Sequence, residues 1–377
     1  MTNAPTLAVD DIDAIQALDS MDMLGAAESF GEQCRDAWNM GAGGSGLPSG
    51  EGLNSIAVLG MGGSGAAGDI VQAIVEPRLP LYFRTIKDSR PLPEWVGRNT
   101  LVFAVSYSGN TAETIAALQD AHLRGVRGVT ISSGGRLEEL AAEFGTAHIR
   151  VPADVPKPRA ALGYLAVPVL WVLSEMGLVP DLRADLYETV ALMGDLAERC
   201  DRKHSGEQNP AKNLALQLAG GIPVIYGASG AEAAVARKFK CDVNEYAKWP
   251  AFWNELPELD HNEIVGWDGA SDLASDFVAV MLTRADDDQM MADRRRVTKD
   301  LIEESLGRVV ELPMEGRSTM AQIFSTIYVT QLASIYLAAS RGVDPGPIET
   351  IDRLKEALTS REGSEKEESR EGETSTS

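Results

Sequence analysis

One pattern occurs twice in this chain and constrains its fold more than any other feature: a short apolar run, a loop of small or hydroxyl residues, then a helical period. In the first half it reads strand Ile56–Leu59, helix Ala66–Val75, strands Leu81–Arg84 and Leu101–Val105, helix Thr111–Arg124, strand Gly128–Ile131, helix Leu137–Phe144 and strand His148–Val151. In the second it reads helix Ala211–Leu218, strand Ile222–Tyr226, loop Gly227–Gly230, helix Ala231–Lys240, strand Phe277–Leu282, helix Ala292–Glu304 and strand Val309–Leu312. Strands that alternate with helices predict an α/β protein with open parallel sheets covered by helices on both faces.

Other segments frame these two units. Asp10–Asn39 carries apolar residues at helical spacing and predicts one or two amphipathic helices, and Met40–Gly50 is too glycine-rich for either period. Tyr164–Met176 and Leu182–Lys203 read as connecting helices, and Thr319–Ala339 as a long helix broken by Arg341-Gly-Val-Asp-Pro345. Arg361–Ser377 holds six Glu and no apolar residue, and is expected to be disordered. The expected division is N-terminal helices and linker (1–50), a first α/β domain (51–155), connecting helices (156–210), a second α/β domain with C-terminal helices (211–360) and an acidic tail (361–377).

In open parallel sheets, ligands sit beyond the carboxyl ends of the strands, where helix N-termini offer unpaired N–H groups. Two loops of the first unit take that position. Gly60-Met-Gly-Gly-Ser-Gly65 allows close backbone approach and adds the Ser64 hydroxyl, and Ser106-Tyr-Ser-Gly-Asn-Thr111 offers three more hydroxyls. Either loop alone reads equally well as a tight connection or a helix N-cap. A dinucleotide site is disfavoured because the following strand, Leu81-Tyr-Phe-Arg84, ends without an acidic residue for a ribose. A Walker loop is excluded by the missing Gly-Lys-Ser/Thr. Neutral donors in two adjacent loops suit a phosphate monoester on a small sugar.

Composition narrows the classes further. With 34 basic and 56 acidic residues the net charge is −22, which repels nucleic acid and anionic membranes. Local dipoles and a few placed cations must therefore hold any phosphate. Cys34, Cys200 and Cys241 lie far apart and are expected to be free thiols. The acidic N-terminal segment does not resemble a secretory signal and no apolar run approaches a membrane span, so a cytoplasmic protein is expected.

Over about Ser55–Leu354 the chain resembles the sugar isomerase (SIS) fold and, more narrowly, the bifunctional phosphoglucose/phosphomannose isomerases of archaea and some bacteria. The resemblance is carried by GMGGSGAAGDI, SYSGNTAETI, ISSGGRL, KPRAALGYL, NEYAKWP, ELDHNEIVGW and RGVDP together. It implies two SIS-type subdomains, each a parallel sheet flanked by helices. It further implies an enzyme that needs no cofactor and no metal, acts on a small sugar phosphate, and completes its active sites at a homodimer interface. By the same resemblance Gly62, Gly63, Ser64, Ser106, Ser108 and Thr111 hold the phosphate, Arg159 stabilises an enediolate, Glu245 shuttles the proton, and His261 opens the sugar ring, with Lys355 as the matching candidate for a lysine that assists.

The chemistry suits these residue types. One carboxylate can move a proton between C1 and C2, imidazole titrates near neutrality, and a guanidinium helps most when charge develops in the transition state. Glu245 is expected in a loop directly after a helix. His261 is expected to be oriented by Asp260 or Glu263, with Asn262 as a donor, whereas His122 and His148 read as packing or surface residues and His204 sits in a polar linker. Each of the three also has a plainer reading: a solvated Glu, a satisfied loop His, a surface Arg. Two other functions share the pattern, a non-catalytic sugar-phosphate sensor and an isomerase or epimerase of another phosphosugar.

Overall fold

Three helices precede the first strand, where one or two were expected: α1 (Ile12–Leu18), α2 (Met23–Glu28) and α3 (Phe30–Ala42). The Asp11 and Asp22 carboxylates accept from the N–H groups of Ala14 and Gly25, so the first two helices begin on aspartate caps. The computed structural model describes residues 9–42, 46–88, 91–270, 273–306 and 308–357. The expected disordered tail, 361–377, lies outside them.

The first sheet takes up β1 (Ser55–Leu59), β2 (Tyr82–Ile86), β3 (Thr100–Val105), β4 (Arg127–Ser132) and β5 (Ala147–Arg150). All pair in parallel in the order β2-β1-β3-β4-β5. Helices α4 (Gly62–Val75), α5 (Ala112–Leu123) and α6 (Gly135–Phe144) connect the strands. Every residue of β1 and β3 is buried, as central strands with helices on both faces require. The strand order reverses between β1 and β3, so the loops after these two strands open side by side.

Helices α7 (Leu162–Glu175), α8 (Arg183–Arg199) and α9 (Pro210–Leu218) lead to the second sheet. Its strands β6 (Ile222–Ala228), β7 (Phe252–Leu256), β8 (Phe277–Thr283) and β9 (Val309–Pro313) are parallel in the order β7-β6-β8-β9, joined by α10 (Ala231–Tyr246), the short α11 (Glu263–Gly266) and α12 (Gln289–Leu306). The sequence reading missed β7. It is an edge strand, mostly half-buried or exposed, and gives neither alternation nor an apolar run.

Helix α13 (Thr319–Ser340) closes the fold and, with α7, threads the main hydrophobic core. Its length and composition would allow it to cross a membrane, contrary to the expectation that no run approaches that length. Here its apolar stretch is wholly buried in the protein, as in the core helix of a globular fold. Its buried serine and threonine hydroxyls turn back onto backbone carbonyls: Thr326 donates to Gln322 O at 2.7 Å and Ser334 to Thr330 O at 2.8 Å. The helix thus buries polar residues without leaving these groups unpaired.

Candidate active site

The glycine loop is partly helix. α4 begins at Gly62, not near Ala66 as expected, and Met61 at its N-cap gives no side-chain hydrogen bond. The Ser64 and Gly65 N–H groups turn back to Met61 O, while those of Gly62 and Gly63 precede the first intrahelical bond. The neighbouring loop behaves the same way. Thr111 stands at the N-cap of α5 without capping it, because its hydroxyl is 2.9 Å from the Ser106 hydroxyl. Ser108 Oγ accepts from Asn110 N, and Ser64 Oγ accepts from Tyr107 N at 3.3 Å, joining the two loops. The N-cap reading therefore fails for both loops, and two uncapped helix N-termini converge with four hydroxyls between them.

Two glycines permit this approach. A Cβ on Gly109 (φ 69°) would lie 1.8 Å from Gly134 O, and one on Gly63 would lie 2.9 Å from Pro158 O and 3.1 Å from Arg159 N. The phosphate loop is thus packed against the backbone that carries Arg159. Gly63→Ala should cost about 1–3 kcal/mol by overpacking against backbone that cannot rotate away. It should also weaken phosphate binding and turnover together, as checked by thermal unfolding and steady-state kinetics.

The corresponding loop of the second sheet, Gly227–Gly230, is already filled. Glu232 Oε2 accepts from Ala228 N at 2.7 Å, and Arg295 Nη2 holds the same carboxylate at 3.0–3.1 Å and Asp287 at 2.9 Å. An internal anion occupies the place where an external one would dock.

Arg159 lies on a 3₁₀ turn, Pro158–Ala160, and is 3% exposed. Its Nη2 donates to Pro345 O and Gly346 O, both at 2.7 Å, and its guanidinium lies 4.8 Å from the centroid of the Tyr246 ring. Tyr246 is itself fixed by Gln331 Nε2 of α13, which donates to its hydroxyl at 2.8 Å. Nη1 is left pointing at Glu245 Oε2, 3.7 Å away, within ion-pair reach but longer than a hydrogen bond. The cation is held before any substrate arrives.

Glu245 is not in a loop. α10 continues past Lys240 to Tyr246, because Val235, Phe239, Val243 and Tyr246 extend its buried stripe and Lys238 pairs with Asp242 inside the core at 2.5–2.6 Å. Glu245 sits in the last turn, where the C-terminal end of the helix dipole disfavours a carboxylate, and Arg159 opposes that effect. Burial pushes the Asp242 carboxyl up to about 6 against the pull of Lys238. Glu245 lines a cavity of about 700 Å³ with Lys248, Trp249, Asp344, Ile348 and Ile351. None of the phosphate-loop residues lines it; Gly63 abuts the Pro158–Arg159 backbone, and Arg159 in turn faces Glu245 on the cavity wall.

Sequence reasoning gave no role to Lys248, Tyr246 or Asp242, although the first two stand within the NEYAKWP motif. Burial in three dimensions distinguishes Tyr246 and Asp242 from surface residues, and the hydrogen bonds of Lys248 to two carbonyls distinguish it.

His261 is not brought to Glu245. It ends a 3₁₀ turn, Glu258–His261, beyond the carboxyl end of β7, and is exposed. Glu245 lies fourteen residues, about 21 Å, along a helix that starts at the carboxyl end of the neighbouring β6 and runs back toward the opposite edge of the sheet. Nor do its expected partners orient it. Asp260 is held by Arg294 and Thr298 of α12, Glu263 accepts from Tyr226 and Asn254, and the Asn262 amide donates to Glu258. Lys355 is exposed on helical residues 349–357, and only the start of that segment lines the cavity. His122 and His148 do pack: His122 stacks on Phe144 at 3.7 Å and His148 is 2.7 Å from the Thr130 hydroxyl, while His204 is exposed.

Comparison with known proteins places this arrangement. Residues 53–162 match the SIS domain family, and residues 207–358 match the bacterial phospho-glucose isomerase C-terminal SIS domain. The chain is 36% identical over 336 residues to the bifunctional phosphoglucose/phosphomannose isomerase of Caldicellulosiruptor bescii, covering 89% of this chain and 98% of that protein. It is 33% identical to the Aquifex aeolicus protein of the same name (80% and 90% covered) and 27% identical to a D-glucosamine-6-phosphate 4-epimerase of Sulfolobus acidocaldarius (82% and 91%). Among solved structures, a hypothetical protein of Thermus thermophilus superposes with a TM-score of 0.69 at 15% identity over 93% of this chain and 94% of that one. This last likeness speaks for the fold.

Proposed function

Because this chain belongs to the bifunctional phosphoglucose/phosphomannose isomerase family and is a phosphosugar isomerase, we propose that it interconverts glucose 6-phosphate and mannose 6-phosphate with fructose 6-phosphate by metal-free proton transfer through a cis-enediolate. The observation that carries this reading is the Arg159 guanidinium, clamped by two carbonyls and aimed at Glu245, beside two helix N-termini that lack side-chain caps.

In the open-chain aldose, the Glu245 carboxylate takes the C2 proton. The C–H electron pair forms the C1–C2 double bond, and the carbonyl π pair moves onto O1. The negative charge passes from Glu245 to the enediolate, with Arg159 poised beside both. The O2 proton then passes to O1, the protonated Glu245 returns its proton to C1, and the C2 carbonyl forms. Only the cation's fit to the charged intermediate accelerates the step, since an equal grip on the substrate would not. Gly62, Gly63, Ser64, Ser106, Ser108 and Thr111 hold the phosphate in this scheme. His261, with Lys355 assisting, opens the ring.

The separation of His261 from Glu245 supports a homodimer in which His261 reaches the partner's cavity. We keep the cytoplasm as the proposed location. The epimerase relative favours one further reading, the same proton chemistry on another phosphosugar.

Fructose 6-phosphate incubated with the protein in heavy water should give both glucose 6-phosphate and mannose 6-phosphate, each deuterated at C2, at rates unchanged by EDTA. Product without deuterium would speak for an internal hydride shift. Loss of activity in EDTA would remove the metal-free scheme, and binding without turnover would leave a sensor.

A further inference from the structure

Lys248 follows Glu245 by one turn of chain and faces the same cavity. Its backbone is left-handed, with φ 49°, a conformation shared with only one other non-glycine residue among those described, Asp22. Such conformations persist where the surroundings over-determine them, and they concentrate at working sites. The side chain is fixed as well. Nζ donates to Asp344 O at 2.8 Å and to Tyr246 O at 3.3 Å, which accounts for two of its three N–H groups.

We propose that Lys248 is a second cation of the isomerase site, its ammonium acting on Glu245 across the cavity that both residues line and its third N–H meeting an oxygen of the bound sugar. The proposal rests on the isomerase reading above. During proton abstraction the total negative charge does not change; it moves from the carboxylate to the sugar oxygens. A fixed cation in the same cavity favours the charge in both positions without moving, whereas water would have to reorganise. In a chain of net charge −22 this local charge is also what admits an anionic substrate to the cavity.

The groups that face Lys248 set when it is charged. Lys248 as a whole is exposed, but partial desolvation of its amine against the cavity wall pushes it down to about 8, and Arg159 pushes in the same direction; Asp344, Glu245 and Asp19 oppose them. The ammonium is thus present below pH 8 and lost above it.

The test is the pH dependence of fructose 6-phosphate isomerisation by wild type, Lys248→Met and Lys248→Arg. Wild-type kcat/KM should fall as pH rises through about 8. Lys248→Met should lower kcat/KM about 100-fold at pH 7, mostly in kcat, and abolish that fall. Lys248→Arg, which keeps its charge, should retain much of the activity and move the fall to higher pH. If Lys248→Met does not fold, the position of the Lys248→Arg limb decides alone. Kinetics within threefold of wild type in Lys248→Met, or an unmoved limb in Lys248→Arg, overturns the proposal while leaving the isomerase reading intact. A wild-type protein with no isomerisation at any pH overturns both.

Discussion

Glu245→Gln should lower kcat for fructose 6-phosphate by about 10²- to 10⁴-fold, because an amide cannot accept the C2 proton, while the sugar phosphate still binds. The substitution keeps the shape of a residue that packs in the last turn of α10 and removes one charge from the cavity. Isothermal titration with fructose 6-phosphate separates the two effects, and loss of binding together with turnover would assign Glu245 to the substrate pocket instead of the proton transfer. The same variant tests the assembly. His261→Ala should be inactive by itself, yet unfolding and refolding it with an equal amount of Glu245→Gln should restore roughly a quarter of wild-type sites, since half the dimers are mixed and one site in each is intact. If both residues serve the site of their own chain, mixing restores nothing.

Arg159→Lys should cost about 2.7–4 kcal/mol of transition-state stabilisation, a loss of 10²- to 10³-fold in kcat/KM. Charge is conserved in this change, but geometry is not. A single ammonium cannot reproduce the flat contact with Tyr246 and the two bonds to Pro345 and Gly346 while also addressing Glu245 from Nη1. The loss should lie mainly in kcat and should not be recovered by higher substrate concentration. A variant that retained more than a tenth of wild-type kcat would assign the enediolate to another cation.

The doubled α/β pattern was legible in the sequence because central parallel strands are apolar on both faces: Ile56–Leu59 and Leu101–Val105 cannot be mistaken for loops. β7 was hidden for the opposite reason. An edge strand with only its last residue buried, Phe252-Trp-Asn-Glu-Leu256, has no pattern to read. Helix ends were blurred wherever chemistry intrudes. Gly62–Gly65 is a poor helix former, used here because backbone passes close by, and Asp242-Val-Asn-Glu245 looks like a loop because the buried Lys238–Asp242 pair and the base occupy the turn that would otherwise be apolar. The resemblance to a family supplied Arg159, Glu245 and His261, and the spacing did not. Lys248 escaped notice because nothing in Tyr246-Ala-Lys-Trp249 tells a lysine anchored on a cavity wall by two carbonyls from one free in solvent.

The hydrogen bonds from Arg159 to the carbonyls of Pro345 and Gly346 have a consequence in time as well as in space. A ribosome that has already released both sheets and Glu245 has still not made the two acceptors that fix the guanidinium. The growing polypeptide therefore passes through a stage at which every residue assigned to the phosphate loops is present but the electrophilic partner has no seat. Competence arrives no earlier than the synthesis of residue 346, so fragments left by premature termination before that point would be inert.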